Sequence, residues 1–344
     1  MKDIKLSQFK PRSELRLEEH IIMQPKFRVF DIHTHMGSLV LGENYESLYD
    51  TAEYIKCLDY YGVKTVVNLD GEQGTRLDRM LSKMKGYEER IITFGWVNTE
   101  VIDDDNFGKK VINSMKEGYR KGIRGIKLWK NISLGQKDRS GQYIRIDDLR
   151  LKPLWDTAAE LNIPVLIHIA DPIAFFKKVD QYNERFEELI QHPDWSFCSP
   201  KFYQYAELMD MQEKMLADNP DTTFIIAHMG SAAEDLKYVA RCLDTYPNML
   251  VDTAARISEL GRQPYTARDF LIKYQDRVLF GTDFTPGNTP YHLYYRFFET
   301  RDEYFDYGTG EIPVQGRWKI YGVYLPDEVL EKIYHKNAER IIFK

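Results

Sequence analysis

Two histidines one residue apart, His33 and His35, end the apolar run Val29-Phe30-Asp31-Ile32, and Gly37 breaks the chain just beyond them. Side chains alternate faces along a strand, so the pair shares one face, where its imidazoles converge on a point that one metal ion would occupy. By itself a His-x-His pair arises by accident as easily as by function. Further ionisable residues stand in the same kind of position. Lys127 lies in Gly125-Ile126-Lys127-Leu128, His168 follows Val165-Leu166-Ile167, His228 follows Ile225-Ile226-Ala227, and Asp283 follows Phe280-Gly281-Thr282. A lone histidine at a strand end is usually a hydrogen-bonded structural residue, and a lone aspartate there is often a cap. Together they put ionisable groups at the same end of five strands, and charges gathered in that way need pairing or a shared ion. A metal centre accounts for all of them at once.

The elements that must position these groups alternate in type. Strand-like runs are predicted at Arg28–His35, Lys64–Leu69, Arg90–Val97, Gly122–Trp129, Pro164–His168, Thr223–His228, Met249–Asp252 and Arg277–Asp283. Apolar spacing predicts helices over Leu48–Tyr61 (with Gly62 as its C-terminal cap), Arg76–Tyr87, Phe107–Arg120, Pro153–Leu161, Lys201–Ala217, Ala232–Thr245 and Ala267–Tyr274. Near-continuous apolar strands alternating with helices mark a parallel sheet covered on its outer face. Eight such units, with no GxGxxG after the first strand, predict an α/β fold of the TIM type, a (β/α)8 barrel in a single domain. Residues 1–26, broken by Pro11 and Pro25, read as an N-terminal arm, and residues 27–344 as the barrel.

Two connections are longer than a barrel needs, giving long inserts after strands five and eight. The first carries Phe175, Phe176, Trp195 and Phe197 among its aromatic residues, and the second carries Tyr291, Tyr294, Tyr295 and Tyr307. Both start where the site is expected, so part of each is read as pocket wall or lid and most of each as packing. Arg256, just after strand seven, suits a substrate carboxylate held bidentately, or equally a helix-to-loop salt bridge.

Composition narrows the class of partner. Net charge is -6 with both signs interspersed and no basic block, which argues against nucleic acid. Runs such as Ile163-Pro164-Val165-Leu166-Ile167 are too short to span a membrane, and the N-terminus lacks a secretory hydrophobic segment. The cysteines Cys57, Cys198 and Cys242 are scattered, which fits free thiols in a reducing compartment. The expectation is a cytoplasmic protein with a small-molecule substrate and, at most, a second copy of itself in a homodimer.

The motifs His33-Thr34-His35, Gly125-Ile126-Lys127-Leu128, Ile167-His168, Ala227-His228 and Gly281-Thr282-Asp283 resemble those of the amidohydrolase superfamily, in its amidohydrolase-2, or amidohydrolase-related, branch. The run Ile333-Tyr334-His335-Lys336-Asn337-Ala338-Glu339-Arg340 is similar to that family's closing helix. The resemblance implies a divalent metal, zinc foremost, as one or two ions. It implies that His33, His35, His168 and Asp283 are ligands and that Asp283 also handles the proton of the attacking water. His228 becomes a second-metal ligand or an acid/base group, and Lys127 a bridging carboxylate if carboxylated. The activity implied is hydrolysis of an amide, lactone or ester of a small molecule by metal-activated water. The family also contains non-oxidative decarboxylases of aromatic and related acids, so that lyase chemistry stands as the alternative.

Overall fold

The computed structural model describes residues 3–5, 8–308, 310 and 315–343. Its strands form one eight-stranded sheet in sequence order: β1 (Val29–Thr34), β2 (Val63–Gly71), β3 (Ile91–Gly95), β4 (Ile126–Leu128), β5 (Val165–Ile167), β6 (Phe224–Ile226), β7 (Met249–Asp252) and β8 (Val278–Leu279). Neighbouring strands pair in parallel throughout. The ring closes through the segment after β8. Ile32 N donates to Phe280 O at 3.0 Å, Asp283 N to His33 O at 2.8 Å, and His35 N to Phe284 O at 2.9 Å. This is the expected (β/α)8 barrel.

Its core has two shells. Phe30, Ile32, Leu69, Phe94, Leu166 and Leu250 belong to the cluster inside the barrel, joined by Ala338 and Ile341 from the C-terminal helix Asn337–Ile342. A larger cluster, with Val66, Ile126 and Ile167 from the strands and Leu58, Val111 and Leu154 from the helices, fills the space between the ring and its cover. The alternation of inner and outer residues along each strand produces both shells from one apolar run, which is why the strands read as continuous hydrophobic stretches.

Several elements are shorter than their sequence patterns predict. The apolar run at Arg277–Asp283 gives only Val278–Leu279 as regular strand, and its remainder pairs irregularly with β1. Gly122–Trp129 gives only Ile126–Leu128, and Gly122 at φ 117 belongs to the preceding helix Phe107–Lys121 as its cap. The run at Thr223–His228 stops at Ile226, and His228, Met229, Gly230 and Ser231 all adopt the left-handed conformation. The helix expected from Leu48 begins at Thr51, where the Asp50 side chain accepts from Glu53 N. The helix expected from Ala232 begins at Leu236 for the same reason, capped by Asp235. The one expected from Lys201 begins at Tyr205, behind a capping box of Gln204 and Glu207. The one expected over Arg76–Tyr87 runs instead from Gly74 to Lys83.

Candidate functional site

At the C-terminal ends of the strands a cavity of about 570 Å³ is lined by His33, His35, His168, His228, Arg256 and Asp283. That volume lies within the range of small-molecule sites. Strand geometry alone does not bring these groups together. β1 pairs Asp31 with Val66 and then Thr34 with Asn68, so three steps on one strand match two on the other. The resulting bulge re-aims the chain as it enters the site. On the facing segment Gly281 leaves the space for His33: a Cβ there would stand 3.0 Å from the His33 Cβ.

Each histidine of the pair is held by its own carboxylate. His33 Nδ1 lies 2.8 Å from Asp252 Oδ2, and His35 Nδ1 lies 2.9 Å from Asp70 Oδ1. Since an ionised carboxylate only accepts, both Nδ1 atoms carry the proton. Both Nε2 atoms then turn to Asp283, whose Oδ1 is 3.0 Å from His35 and 3.4 Å from His33. Asp283 sits at φ 70, a left-handed conformation uncommon outside glycine. Its side chain is 32% exposed, whereas both histidines are buried, so this carboxylate is the part of the cluster open to the cavity.

Burial and charge act in opposite directions here. Burial would raise Asp283, but His33 and His35 hold it well below the usual carboxylate range. Burial, reinforced by Lys127, drives His33 far down. Burial also opposes a proton on His35, yet Asp70 and Asp283 outweigh it and lift the ring to about 9.

The ligand atoms of His33, His35 and Asp283 lie within 4.8 Å of one another, as do those of His33, His228 and Asp252. The first set fits a divalent cation: two imidazoles with Nε2 aimed at one carboxylate oxygen, and each Nδ1 fixed from behind. In the second set Asp252 already serves others, accepting His228 N at 2.8 Å and Ala254 N at 3.1 Å besides His33. It is an orienting group.

His168 stands beside this cluster. Its ring centroid is 4.4 Å from that of His228, and its buried Nε2 makes no hydrogen bond among the described residues, passing 3.3 Å from Asp171 Oδ1. Burial brings its pKa down to about 4, against the pull of Asp171. At that pKa the ring is neutral, with one nitrogen carrying the proton and the other bare, and a bare imidazole nitrogen is what a further ligand would present. His228 has Nδ1 at 2.9 Å from Ala254 O, a carbonyl that only accepts, so its Nε2 is the bare nitrogen.

Lys127 lies off the cavity lining. It is paired in register with Leu166, an interior residue, and is 1% exposed. Its Nζ lies 4.6 Å above the Trp129 ring and makes no hydrogen bond among the described residues. Burial brings its ammonium down to about 8, with Asp283, Asp252 and Asp70 pulling the other way. Arg256 is buried, lines the cavity and donates to Ala255 O at 2.8 Å. Of the two long connections, Phe175 and Trp195 from the first, and Phe284, Tyr294 and Tyr307 from the second, line the cavity. Phe176 and Phe197 pack on each other, and Tyr291 and Tyr295 stack in the outer core.

Asp70, and Asp252 in its orienting role, are missed by the search for chemistry-bearing residues, although both stand near the ends of apolar strands. The same strand-end criterion finds them. Lys130 and Asp171, which pair with each other and line the cavity, follow β4 and β5 by a few residues and carry no such signal.

The amidohydrolase family model matches residues 30–344. No curated protein matches the chain. Among solved structures it is similar to a dihydroxybenzoic acid decarboxylase from Polaromonas sp. JS666 with bound manganese and the inhibitor 2-nitroresorcinol, at 14% identity, TM-score 0.58, covering 92% of this chain and 97% of that one. It is similar to a 5-carboxyvanillate decarboxylase from Sphingomonas paucimobilis at 14% identity, TM-score 0.51, covering 92% and 99%. A probable 2-pyrone-4,6-dicarboxylic acid hydrolase from Acinetobacter baumannii with citric acid bound shows 12% identity, TM-score 0.51 and coverage of 92% and 100%. At these identities the likeness is one of fold.

Proposed function

The chain belongs to the amidohydrolase family, and we propose that it is a metal-dependent hydrolase cleaving an amide, lactone or ester bond of a small carboxylate-bearing molecule. The observation that carries this reading is Asp283: an ionised carboxylate between two histidine Nε2 atoms, opening onto the cavity. In the proposed reaction His33, His35, His168 and Asp283 hold the ion. A bound divalent ion, zinc foremost, supplies Lewis acidity, which polarises a carbonyl and makes a nearby water acidic. Asp283 accepts the proton of the attacking water and returns it to the leaving nitrogen or oxygen. His228, with Nδ1 committed to Ala254 O, offers Nε2 as an acceptor that orients the water or the substrate.

Arg256 supports the substrate class. Lys130 is paired with Asp171, and Arg185 with Glu188 and Glu259, so those cavity cations are already neutralised. Arg256 donates only to a backbone carbonyl among the described residues, with Glu188 and Glu234 acting on it through space and not by a hydrogen bond, so its guanidinium suits a carboxylate from the substrate. The aromatic walls complete the picture with room for a flat group.

Those walls also favour a second reading, decarboxylation of an aromatic or related acid. There a proton must reach the carbon that loses CO₂, and His228 is the group to deliver it. The test is metal analysis of the purified protein, followed by product analysis over a panel of carboxylate-bearing amides, lactones, esters and aromatic acids. A new carboxylate with an amine or alcohol is expected. Release of CO₂ overturns the hydrolase reading in favour of the lyase, and protein that takes up no divalent metal overturns both.

A further inference from the structure

Asp31 is a fully buried carboxylate that the proposed chemistry does not use, two residues before the first histidine. Its Oδ1 accepts His33 N at 3.0 Å and Thr282 N at 3.2 Å. Its Oδ2 accepts the Thr282 hydroxyl and, at 2.9 Å, the Tyr291 hydroxyl. One side chain thus ties β1, the segment after β8 and the helix Tyr291–Glu299 at a single point. The point lies on the seam that closes the barrel, one residue before Asp283 and directly beside the Asp283 N to His33 O bond. A carboxylate buried at 0% exposure accepts these donors at the expense of its own hydration, which no strand–strand contact would require.

We propose that Asp31, acting through Thr282, is a positioning residue for the metal site: it clamps the barrel seam and so sets where Asp283 stands relative to His33 and His35. The inference rests on the proposed reading of those three residues as ligands. The regular ladder does not perform this task. β8 ends at Leu279, the pairing of β1 with β2 slips between Asp31 and Thr34, and Asp283 takes a left-handed φ. With the backbone irregular on both sides, isolated backbone bonds such as Asp283 N to His33 O cross the seam in place of a regular ladder, and the side-chain bonds that reinforce them converge on Asp31.

The variant Thr282→Val keeps the side-chain shape and removes the hydroxyl, whereas Thr282→Ser keeps the hydroxyl. Zinc affinity is measured by competition with a chromophoric chelator on metal-depleted protein, and the melting midpoint of the same metal-free samples is recorded. In Thr282→Val the zinc dissociation constant should rise by roughly tenfold or more, the size seen when outer partners of a metal site are lost. Thr282→Ser should stay within about threefold of the parent. Parental zinc affinity in Thr282→Val, even with a lowered melting midpoint, marks a merely structural clamp and overturns the proposal. Equal weakening in both variants overturns it too, since the hydroxyl is then not the operative group. Should Thr282→Val not fold, Tyr291→Phe removes the other donor to the same oxygen, and an unchanged affinity there is equally decisive. A parent protein that binds no zinc overturns the metal reading itself, an outcome visible before any variant is compared.

Discussion

Asp252 Oδ2 stands 2.8 Å from His33 Nδ1, and through that bond the last residue of β7 fixes the tautomer of the first histidine on β1. The other oxygen of Asp252 accepts the amides of His228 and Ala254. An amide in place of the carboxylate keeps one acceptor for those backbone groups but presents N–H to His33. Nδ1 must then accept, the ring proton moves to Nε2, and the nitrogen facing Asp283 loses its lone pair. For Asp252→Asn the expected result is a ten- to hundredfold loss of zinc affinity, roughly what second partners of metal-binding histidines contribute. Chelator competition on the folded variant measures it, and a parental dissociation constant would count against the tautomer argument.

His33 and His35 themselves give a sharper test. Replacing both by alanine removes the Nε2 atoms that flank Asp283 and leaves one oxygen each of the buried Asp70 and Asp252 without its histidine partner. Metal content per chain should fall to the background of a chelator-treated sample. A melting scan shows how much stability the stranded carboxylates cost, on the order of 1–3 kcal/mol each. Stoichiometric metal in the double variant would rule out this site.

The same residues show what a sequence discloses and what it hides. Apolar runs carry the barrel because every strand is buried on both faces, and a run that ends in His35, His168 or Asp283 advertises a strand end facing the mouth. His35 and Asp70, however, are 35 residues apart in the chain, and His33 and Asp252 are 219 apart. Nothing local announces such pairs. The extents of β6 and β8 were equally hidden, because left-handed residues and seam bonds, set by tertiary neighbours, end those strands before their apolar pattern does. Lys127 reads correctly as a buried lysine, but its place above Trp129 and off the cavity lining depends on register with β5.

Arg256 should act on substrate binding more than on the chemical step. Its guanidinium has no carboxylate bonded to it among the described residues and reaches the cavity from just beyond β7. With a substrate in hand, Arg256→Ala should raise KM by roughly ten- to hundredfold, the worth of a charge-assisted bond, with a smaller change in kcat. Arg256→Lys should recover part of the loss, because a lysine keeps the charge and forfeits the bidentate fork. An unchanged KM in Arg256→Ala would remove the residue from the binding site.

The segment before β1 offers a pH test remote from the proposed metal site. His20 Nδ1 lies 2.5 Å from Asp302 Oδ1, and the Asp302 Oδ2 accepts His20 N at 2.8 Å and Arg296 Nε at 2.7 Å. The hydrogen bond and charge of Asp302, helped by Glu18 and opposed by Arg296, raise the His20 pKa. A raised folded value means that the contact is fully formed below the ordinary histidine pKa of about 6.5 and is lost as pH rises through the folded value. Amide exchange around residues 18–22, corrected for its intrinsic pH dependence, should therefore show more protection at pH 6 than at pH 9. His20→Gln should remove that difference, and a protein whose protection there is the same at both pH values would refute the latch.

Asp283 and His228 separate the two enzyme classes. Asp283→Asn preserves size and one possible ligand oxygen but removes the base. For a hydrolase, kcat should fall by roughly a hundred- to ten-thousandfold with KM far less affected. For a decarboxylase, no water is deprotonated and the greater damage should follow His228→Asn. Neutral His228 carries its one proton on Nδ1, given to Ala254 O, so in a decarboxylase its Nε2 must first take up the proton that it delivers. Metal content is measured in both variants alongside the rates, since loss of the ion mimics loss of the base. Near-parental turnover in both, with metal retained, would mean that neither residue moves the proton and that the centre does not act as either kind of catalyst described above.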